Sequence, residues 1–204
     1  MTELFSGRRG RVAAGLLVAE VSSATQALVI GAIMPQIVKD LHALGEYPLG
    51  FASFIASVLI FMPFAGPWAD RYGARRILAI ALGLLAAGLA AAALAPNIGV
   101  FVAARFIEGA GGGLDYALTF AVIAKTFDET LRPRMLAVMA GAWVLPAIVG
   151  PGLGAFVATV FGWRWAFAGF LPLIGVAALL ILPVVDNTPS DEHVDTFASL
   201  RLLF

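Results

Sequence analysis

Six apolar runs fill most of this 204-residue chain, each about 20 residues or longer. An α-helix rises about 1.5 Å per residue, so about 20 apolar residues span the hydrocarbon core of a bilayer. Strands of a membrane barrel would instead alternate apolar and polar residues over about ten positions. The runs therefore predict an all-α membrane protein, a bundle of six transmembrane helices. We place these helices near 12–38, 47–68, 76–95, 98–125, 134–160 and 164–185.

The composition agrees with lipid as the main partner. Hydrophobic residues make up 61% of the chain and charged residues 13%, with a mean hydropathy of +0.94. A soluble domain has about 25% charged residues. The formal net charge is +0, which argues against a nucleic-acid partner. There is no cysteine, so disulfides are excluded.

The ends of the chain are polar and the middle is apolar, which suggests three regions. Residues 1–11 carry three arginines and are expected to form a cytoplasmic N-terminus. The apolar run that follows is too long for the core of a signal peptide. Residues 12–185 form the predicted six-helix transmembrane domain. Residues 186–204 turn polar and are expected to begin a cytoplasmic linker.

Basic residues predict the orientation, because cytoplasmic loops carry an excess of Lys and Arg. With a cytoplasmic N-terminus, ten basic residues lie inside, and only Lys39 and Arg164 lie outside. Trp163 and Trp165 are then expected in the outer aromatic belt. This favours the plasma (inner) membrane. The ten are Arg8, Arg9, Arg11, Arg71, Arg75, Arg76, Lys125, Arg132, Arg134 and Arg201.

A charged stretch at 66–76 joins the second and third runs, with the pattern Gly-x-x-x-Asp-Arg-x-Gly-x-Arg-Arg. It resembles the loop between helices 2 and 3 of major facilitator superfamily transporters. Trp68 replaces the usual Leu, and Ala74 replaces a basic residue. The resemblance implies that Asp70 helps to clamp two halves together on the cytoplasmic side. The loop residues taken from it are Gly66, Asp70, Arg71, Gly73, Arg75 and Arg76.

The fifth run contains Gly-Pro-x-x-Gly at 150–154, which resembles the helix 5 motif of the exporting branches of the superfamily. Pro146 stands where that motif has an upstream glycine. Gly150, Gly154 and Ala158 also form a ridge of small residues that permits close helix packing, and Pro146 and Pro151 are expected to bend the helix. Packing without any meaning for export is therefore the alternative interpretation of Gly150, Pro151 and Gly154.

The fourth run places Arg105, Glu108, Gly112, Asp115 and Thr119 on one helical face by their spacing of three, four, three and four. A charged group at the centre of a membrane helix costs about 2.5–3.5 kcal/mol, so this face must contact protein or a wet cavity. Residues 105–109 also resemble the family's Arg-x-x-Gln-Gly pattern, with Glu108 in place of Gln. The alternative is an Arg105–Glu108 salt bridge that only holds the bundle together.

The first run adds polar groups at matching depths. Glu20 is predicted at the level of Asp115, and Gln26 nearer that of Arg105 and Glu108. Asp115 and Glu20 have no basic residue within one turn of their own helices, so they are the first and second candidates for proton coupling. Glu108 is the third candidate. Related drug–proton antiporters often carry an Asp in the outer or middle part of helix 1, and this sequence has none there. The candidates for the substrate cavity are Gln26, Arg105, Thr119 and Ser23.

Two other motifs are set aside. The glycines of 109–113 lack the spacing and the βαβ context of a dinucleotide site, and they indicate close helix packing instead. His42 and His193 have no neighbouring ligand pattern, so no metal is expected. No ATP-binding loop is present, and no cofactor is expected.

The resemblance covers almost the whole chain but only the N-terminal half of the family fold, which is built from three helices repeated with inverted topology (3+3). A weak internal echo, Tyr-Gly-Ala-Arg at 72–75 and Phe-Gly-Trp-Arg at 161–164, fits such a repeat. The resemblance implies a secondary active transporter that acts on a small molecule, rather than an enzyme. The expected partners are protons, a small-molecule substrate and a second six-helix half.

Proton-coupled export of a small amphipathic molecule by alternating access, as in multidrug efflux antiporters, is favoured by the helix 5 motif and the membrane carboxylates. Two alternatives stay open. One is a truncated or structural half that transports nothing alone, and the other is an uptake symporter of the same fold.

The six-helix interpretation predicts that single cysteines at Ala74 and Asn97 label from opposite sides of the membrane. The chain has no native cysteine, so each label reports one site. A membrane-impermeant maleimide applied to sealed and to opened vesicles makes the measurement. Labelling of both positions from the same side would contradict six spans.

Overall fold

The computed structural model describes residues 5–186 and is α-helical, with no strand in this range. The predicted all-α class is confirmed. The polar stretch at 187–204, with His193 and Arg201, lies outside the described residues. The helices are α1 Gly7–Asp40, α2 Leu49–Phe61, α3 Ala65–Tyr72, α4 Ala74–Ala93, α5 Ile98–Thr126, α6 Arg132–Gly141, α7 Val144–Val160, α8 Trp165–Ala168 and α9 Leu171–Ile181.

Prolines divide three of the six helical segments into two helices each. A proline has no N–H to bond the carbonyl four residues earlier, so the helix breaks or tightens there. Pro63 lies in the 3-10 turn Met62–Phe64 between α2 and α3. Pro146 lies in the first turn of α7, just after the break at Ala142 and Trp143, and Pro172 does the same at the start of α9. Pro151, expected to bend its helix, lies within an unbroken α7.

Four helical stretches are long and apolar enough to cross a membrane, namely Gly7–Asp40, Leu44–Tyr72, Ala74–Ala93 and Arg132–Val160. α5 has the necessary length at 29 residues but carries three charged residues in its middle. The last stretch, Trp165–Ile181, is apolar and shorter. Large apolar side chains such as Ile148 and Leu179 are about three-quarters exposed, which lipid or another helix bundle tolerates and water does not.

The segments alternate in direction, so their connections gather at two ends. At one end Arg9 pairs with Asp128 at 3.1 Å, and Arg8 pairs with Asp186 at 2.7 Å. The Asp70 loop borders the same place. At the opposite end the Trp163 indole donates to Asp40 at 3.0 Å. We call these the basic end and the opposite end.

α5 lies at the centre of one group of helices, and its glycines allow the close approach. A Cβ on Gly109 would lie 2.4 Å from the carbonyl oxygen of Phe54, and one on Gly113 2.6 Å from that of Val58, both on α2. A Cβ on Gly111 would lie 2.6 Å from backbone atoms of α4. The packing interpretation of the 109–113 run is therefore confirmed.

α1 forms the second group by packing on α7 and α9. A Cβ on Gly154 would lie 2.5 Å from Val29 Cγ1, and one on Gly15 would lie 2.4 Å from Ile181 Cγ1. Gly150 lies beside Thr25 and Leu28, and the carbonyl of Ala158 accepts from Gln36. Residue numbers rise along α1 and along α7 from one contact to the next, so the two helices run parallel. The small-residue ridge of α7 thus faces α1.

The prediction that Trp163 lies in a membrane-facing aromatic belt is wrong. Its side chain is 1% exposed and packs edge to face against Phe101 and Phe167. The reason is the indole N–H, which finds a carboxylate partner in Asp40, while the Arg164 guanidinium lies over its ring at 4.4 Å. Trp165, by contrast, is 61% exposed.

The glycine contacts predict that Gly111→Ala destabilises the bundle, because the new methyl group would meet backbone atoms of α4 that cannot move independently. Overpacking of this kind costs about 1–3 kcal/mol. The matched control is Gly83→Ala on α4, where a Cβ would meet nothing within 4 Å. There the higher helix propensity of alanine favours folding by up to about 1 kcal/mol.

The melting temperature of each purified variant in one detergent is the measurement. A fall for Gly111→Ala with no fall for Gly83→Ala is expected. Equal melting temperatures would refute the close α4–α5 packing.

Candidate functional site in the helix bundle

The charged face of α5 is enclosed by α1, α2 and α4. Arg105, Glu108, Asp115 and Thr119 are all buried, with at most 5% of each residue exposed. Gly112 on the same face is partly buried. A Cβ on Gly88 of α4 would lie 2.6 Å from the Cα of Glu108, so the two backbones meet at this level. The burial follows from the cost of exposing charge to lipid.

Arg105 and Glu108 form a buried ion pair whose groups have several partners. Arg105 Nη1 donates to Glu108 Oε2 at 2.7 Å, and Nε donates to the carbonyl of Gly50 at 3.4 Å. The guanidinium carbon also lies 4.3 Å from the centre of the Phe54 ring. Gln26 of α1 donates to Glu108 Oε1. Both carboxylate oxygens of Glu108 are therefore paired. This is compatible with the alternative in which the Arg105–Glu108 salt bridge only holds the bundle together.

Asp115 lies about two helical turns closer to the basic end than Glu108, and its surroundings differ. Its Oδ1 is buried and has no hydrogen-bond partner among the described residues. α1 and α5 run antiparallel here, since Gln26 meets Glu108 and Arg9 meets Asp128. Glu20 of α1 therefore lies at about the level of Asp115, the depth at which the sequence placed both carboxylates.

Glu20 has a partner that the sequence analysis missed. Trp143 Nε1 donates to Glu20 Oε1 at 2.6 Å, from the break between α6 and α7. The only signal in the sequence is a tryptophan within an apolar run, because an indole N–H in such surroundings requires an acceptor. Spacing along the chain does not connect the two residues, which are 123 positions apart.

The remaining cavity candidates lie on the same two helices. Thr119 is buried on α5, and Ser23 is partly buried on α1. Their neighbours Ser22 and Thr25 turn their hydroxyls to α1 carbonyls, at 2.6 Å each. Within residues 5–186 no group of three or more His, Cys, Asp and Glu side chains is placed to hold a metal ion.

The charged loop lies at the basic end, away from the buried carboxylates. Gly73 joins α3 to α4 with φ +90°, a backbone conformation that a residue with a side chain rarely adopts. Arg71, Arg75 and Arg76 are exposed, and Ala74 is buried, so position 75 is the better cysteine-labelling site. A cleft of about 510 Å³ lies here. Its lining includes Gly66, Asp70, Arg8, Arg9 and Lys125.

Comparison with known proteins agrees with this arrangement. The family profile of the Major Facilitator Superfamily matches residues 16–202. The chain belongs to this superfamily. Its members are transporters rather than enzymes, and the apolar helices fit an integral membrane protein.

Curated relatives carry names of drug transporters. Multidrug resistance protein 3 of Bacillus subtilis is 28% identical over 171 residues, which are 84% of this chain and 33% of that protein. A multidrug resistance protein B homolog of Mycobacterium tuberculosis is 32% identical over 75% of this chain and 28% of its own length. The chain thus spans about a third of the length of these relatives.

Solved structures share the fold. The proton:xylose symporter XylE bound to 6-bromo-6-deoxy-D-glucose superposes with a TM-score of 0.76 at 18% identity, over 87% of this chain and 45% of that one. A peptide transporter in complex with sulfate gives 0.71 at 13% identity, over 97% and 44%. At these identities the likeness concerns the fold alone. It covers about half of each transporter chain.

The ion pair predicts a strong dependence of stability on both of its members. Arg105→Met leaves Glu108 buried with its charge uncompensated, and such changes cost about 3–5 kcal/mol. The double variant Arg105→Met, Glu108→Met removes both charges and is expected to lose less than the sum of the two single losses. Denaturation in mixed micelles measures the free energies. Arg75→Met, at an exposed position, is the control and is expected to be near neutral.

Proposed function

We propose that the chain is the N-terminal six-helix half of a secondary active transporter that exports a small amphipathic molecule in exchange for protons. The observation that carries the proposal is the buried Asp115 Oδ1, which has no hydrogen-bond partner within residues 5–186 and lies at about the level of Glu20. Export is supported by the names of the curated relatives and by the Gly-Pro-x-x-Gly sequence on α7. Proton coupling is our inference from the carboxylate pair.

The proposed mechanism uses the repulsion between two carboxylates. A proton taken up by one of them removes the repulsion and adds a hydrogen-bond donor at a site where Asp115 lacks one. The approach of α1 to α5 then depends on the protonation state. If alternating access opens this level to each side in turn, the proton is bound on one side and released on the other. Substrate is proposed to bind near Gln26, Arg105, Thr119 and Ser23.

The three carboxylates rank in this role by their partners. Asp115 comes first because its Oδ1 has no hydrogen-bond partner in the described part of the chain. Glu20 comes second because Trp143 occupies one of its oxygens. Glu108 comes last, since Arg105 and Gln26 occupy both oxygens and its charge is compensated. Its proposed role is to hold α1 against α5 and to fix the position of the Arg105 guanidinium.

The topology that we propose places the basic end in the cytoplasm and residues 12–185 in the plasma (inner) membrane. Nine basic residues of the described chain belong to the basic end, against Lys39 and Arg164 at the opposite end, and cytoplasmic loops are rich in Lys and Arg. A 3+3 inverted repeat is supported by Gly73 and Gly162. They follow the second and fifth segments at opposite ends, with φ +90° and +93°.

A second six-helix half is the proposed partner of this chain. The solved transporters are about twice as long as the part that the chain covers. If Gly66 of the charged loop carried a Cβ, that atom would meet nothing within 4 Å among the described residues. Packing within residues 5–186 therefore does not require glycine at this position. We propose that the Asp70 loop faces the second half and clamps it on the cytoplasmic side. Without that half, the alternative of an inert or purely structural unit applies.

The test is proton-driven flux in proteoliposomes, made with the chain joined to or coexpressed with a complementary half. The double variant Glu20→Gln, Asp115→Asn is expected to abolish substrate accumulation driven by a pH gradient, because no proton can be exchanged at the pair. Substrate binding and downhill exchange are expected to persist. The matched control is Glu129→Gln, an exposed carboxylate at the basic end.

Accumulation by the double variant at the rate of the control would refute the assignment of the coupling pair. Loss of substrate binding together with flux would place the two carboxylates in substrate recognition instead. The chain reconstituted alone serves as the test of the half-transporter alternative, under which it gives no flux.

A further inference from the structure

Trp143 lies at the break between α6 and α7 and is hydrogen-bonded to α1. It is one of the two residues between α6 and α7, where the chain has lost helical continuity at Pro146. Its indole N–H reaches across to α1 and donates to Glu20 at 2.6 Å, while its side chain is 39% exposed. A single hydrogen bond therefore connects a membrane carboxylate with the joint of a divided helix.

The two helices on either side of this joint are held differently. α7 is fixed on α1 by Gly150 and Gly154, which lie against Thr25, Leu28 and Val29. α6 touches α1 far less, and its buried side chains are Met135 and Met139, which are long and adaptable. Gly141, its last residue, would meet nothing within 4 Å if it carried a Cβ. A change in the angle at the joint would thus move α6 while α7 stays on α1.

We propose that Trp143 is a positioning residue for Glu20, and that their hydrogen bond couples the charge of Glu20 to the angle between α6 and α7. A hydrogen bond to an ionised carboxylate is about twice as strong as one between neutral groups. When Glu20 is ionised, the bond holds the joint against α1. When Glu20 is neutral, the bond weakens and α6 is released. The inference rests on the proposed role of Glu20 in proton coupling.

The surroundings leave few other charges to act on this pair. From α5, Asp115 lies at about the level of Glu20 across the α1–α5 contact. α7 and α9 contain no ionisable side chain. On α6 the ionisable groups are Arg132 and Arg134 in its first turn, and the Arg132 guanidinium donates to the carbonyls of Phe127 and Ala124. Lys125, Arg105 and Glu108 lie on α5 at other levels.

The test measures the joint directly in the isolated chain, reconstituted in lipid nanodiscs. Spin labels on cysteines at Ala137 and Val160, both exposed, lie on either side of the break and about 35 Å apart along the segment. Double electron–electron resonance reports this distance. A reference pair at Arg11 and Lys39 lies within α1 alone. Glu20→Gln, as a neutral carboxyl, and Trp143→Phe, without the donor, are each compared with the unmodified chain.

Both variants are expected to shift the Ala137–Val160 distance distribution in the same direction and to leave the Arg11–Lys39 distribution unchanged. The double variant is expected to show the shift of one single variant, because both remove the same hydrogen bond. Trp165→Phe, at an exposed tryptophan, is the matched control and is expected to have no effect. An unchanged distance in either variant, or two shifts that add, would overturn the proposal.

A second readout covers the case in which Trp143→Phe fails to fold. In chains labelled with 5-fluorotryptophan, the 19F resonance of position 143 is expected to move in Glu20→Gln and to stay in place in Glu129→Gln. An unchanged 19F chemical shift at position 143 in Glu20→Gln would overturn the proposal by itself. Neither readout requires transport, so failure of the joint is distinguishable from failure of the proposed proton-coupled export.

Discussion

The structure depends on the need to enclose the charged face of α5 away from lipid. Three ionisable side chains lie on this face, and each would cost several kcal/mol if a lipid tail covered it. α2 and α4 approach α5 so closely that its glycines 109, 111 and 113 have no room for a Cβ. α1 supplies Gln26 and Glu20 from the other side. Small residues permit the backbones to meet, and the polar groups then find partners over short distances.

The enclosure sorts the carboxylates into two kinds. Glu108 is held by Arg105 and Gln26, so it can remain charged with its lone pairs occupied. Asp115 is also buried, yet its Oδ1 has no hydrogen-bond partner among residues 5–186. A satisfied buried network contributes rigidity, whereas an unsatisfied buried group carries a desolvation cost. The paired carboxylate and the proposed coupling site therefore lie at neighbouring levels of the same helix pair.

Prolines determine where the helical segments break, and side-chain hydrogen bonds attach the residues beside these breaks to α1. The fifth segment divides just before Pro146, and Trp143, which lies in the break, is bonded to α1. At the opposite end Trp163 is bonded to Asp40 in a similar way. α1 is thus attached to the fifth and sixth segments by two indole–carboxylate contacts, with the Gly150–Gly154 ridge between them.

The sequence by itself determined the class of the protein, because the length of an apolar run and its helical rise suffice to predict a membrane bundle. It also determined the common face of Arg105, Glu108, Asp115 and Thr119, since residues three and four apart on a helix share a side. The depths of Glu20 and Gln26 followed from the rise per residue alone. The motifs at 66–76 and 150–154 pointed to the superfamily that the comparisons show.

Only the tertiary structure decided which of these groups are paired. The sequence does not show that Gln26 takes the second oxygen of Glu108, or that Asp115 Oδ1 finds no partner within residues 5–186, because both depend on how α1 and α5 rotate about their axes. Trp143 and Trp163 find their carboxylates across 123 residues each, and no local pattern encodes such a distance. For Trp163 the local pattern was misleading. A tryptophan beside a loop suggests the membrane surface, but a carboxylate on a distant helix gave its N–H a better partner inside.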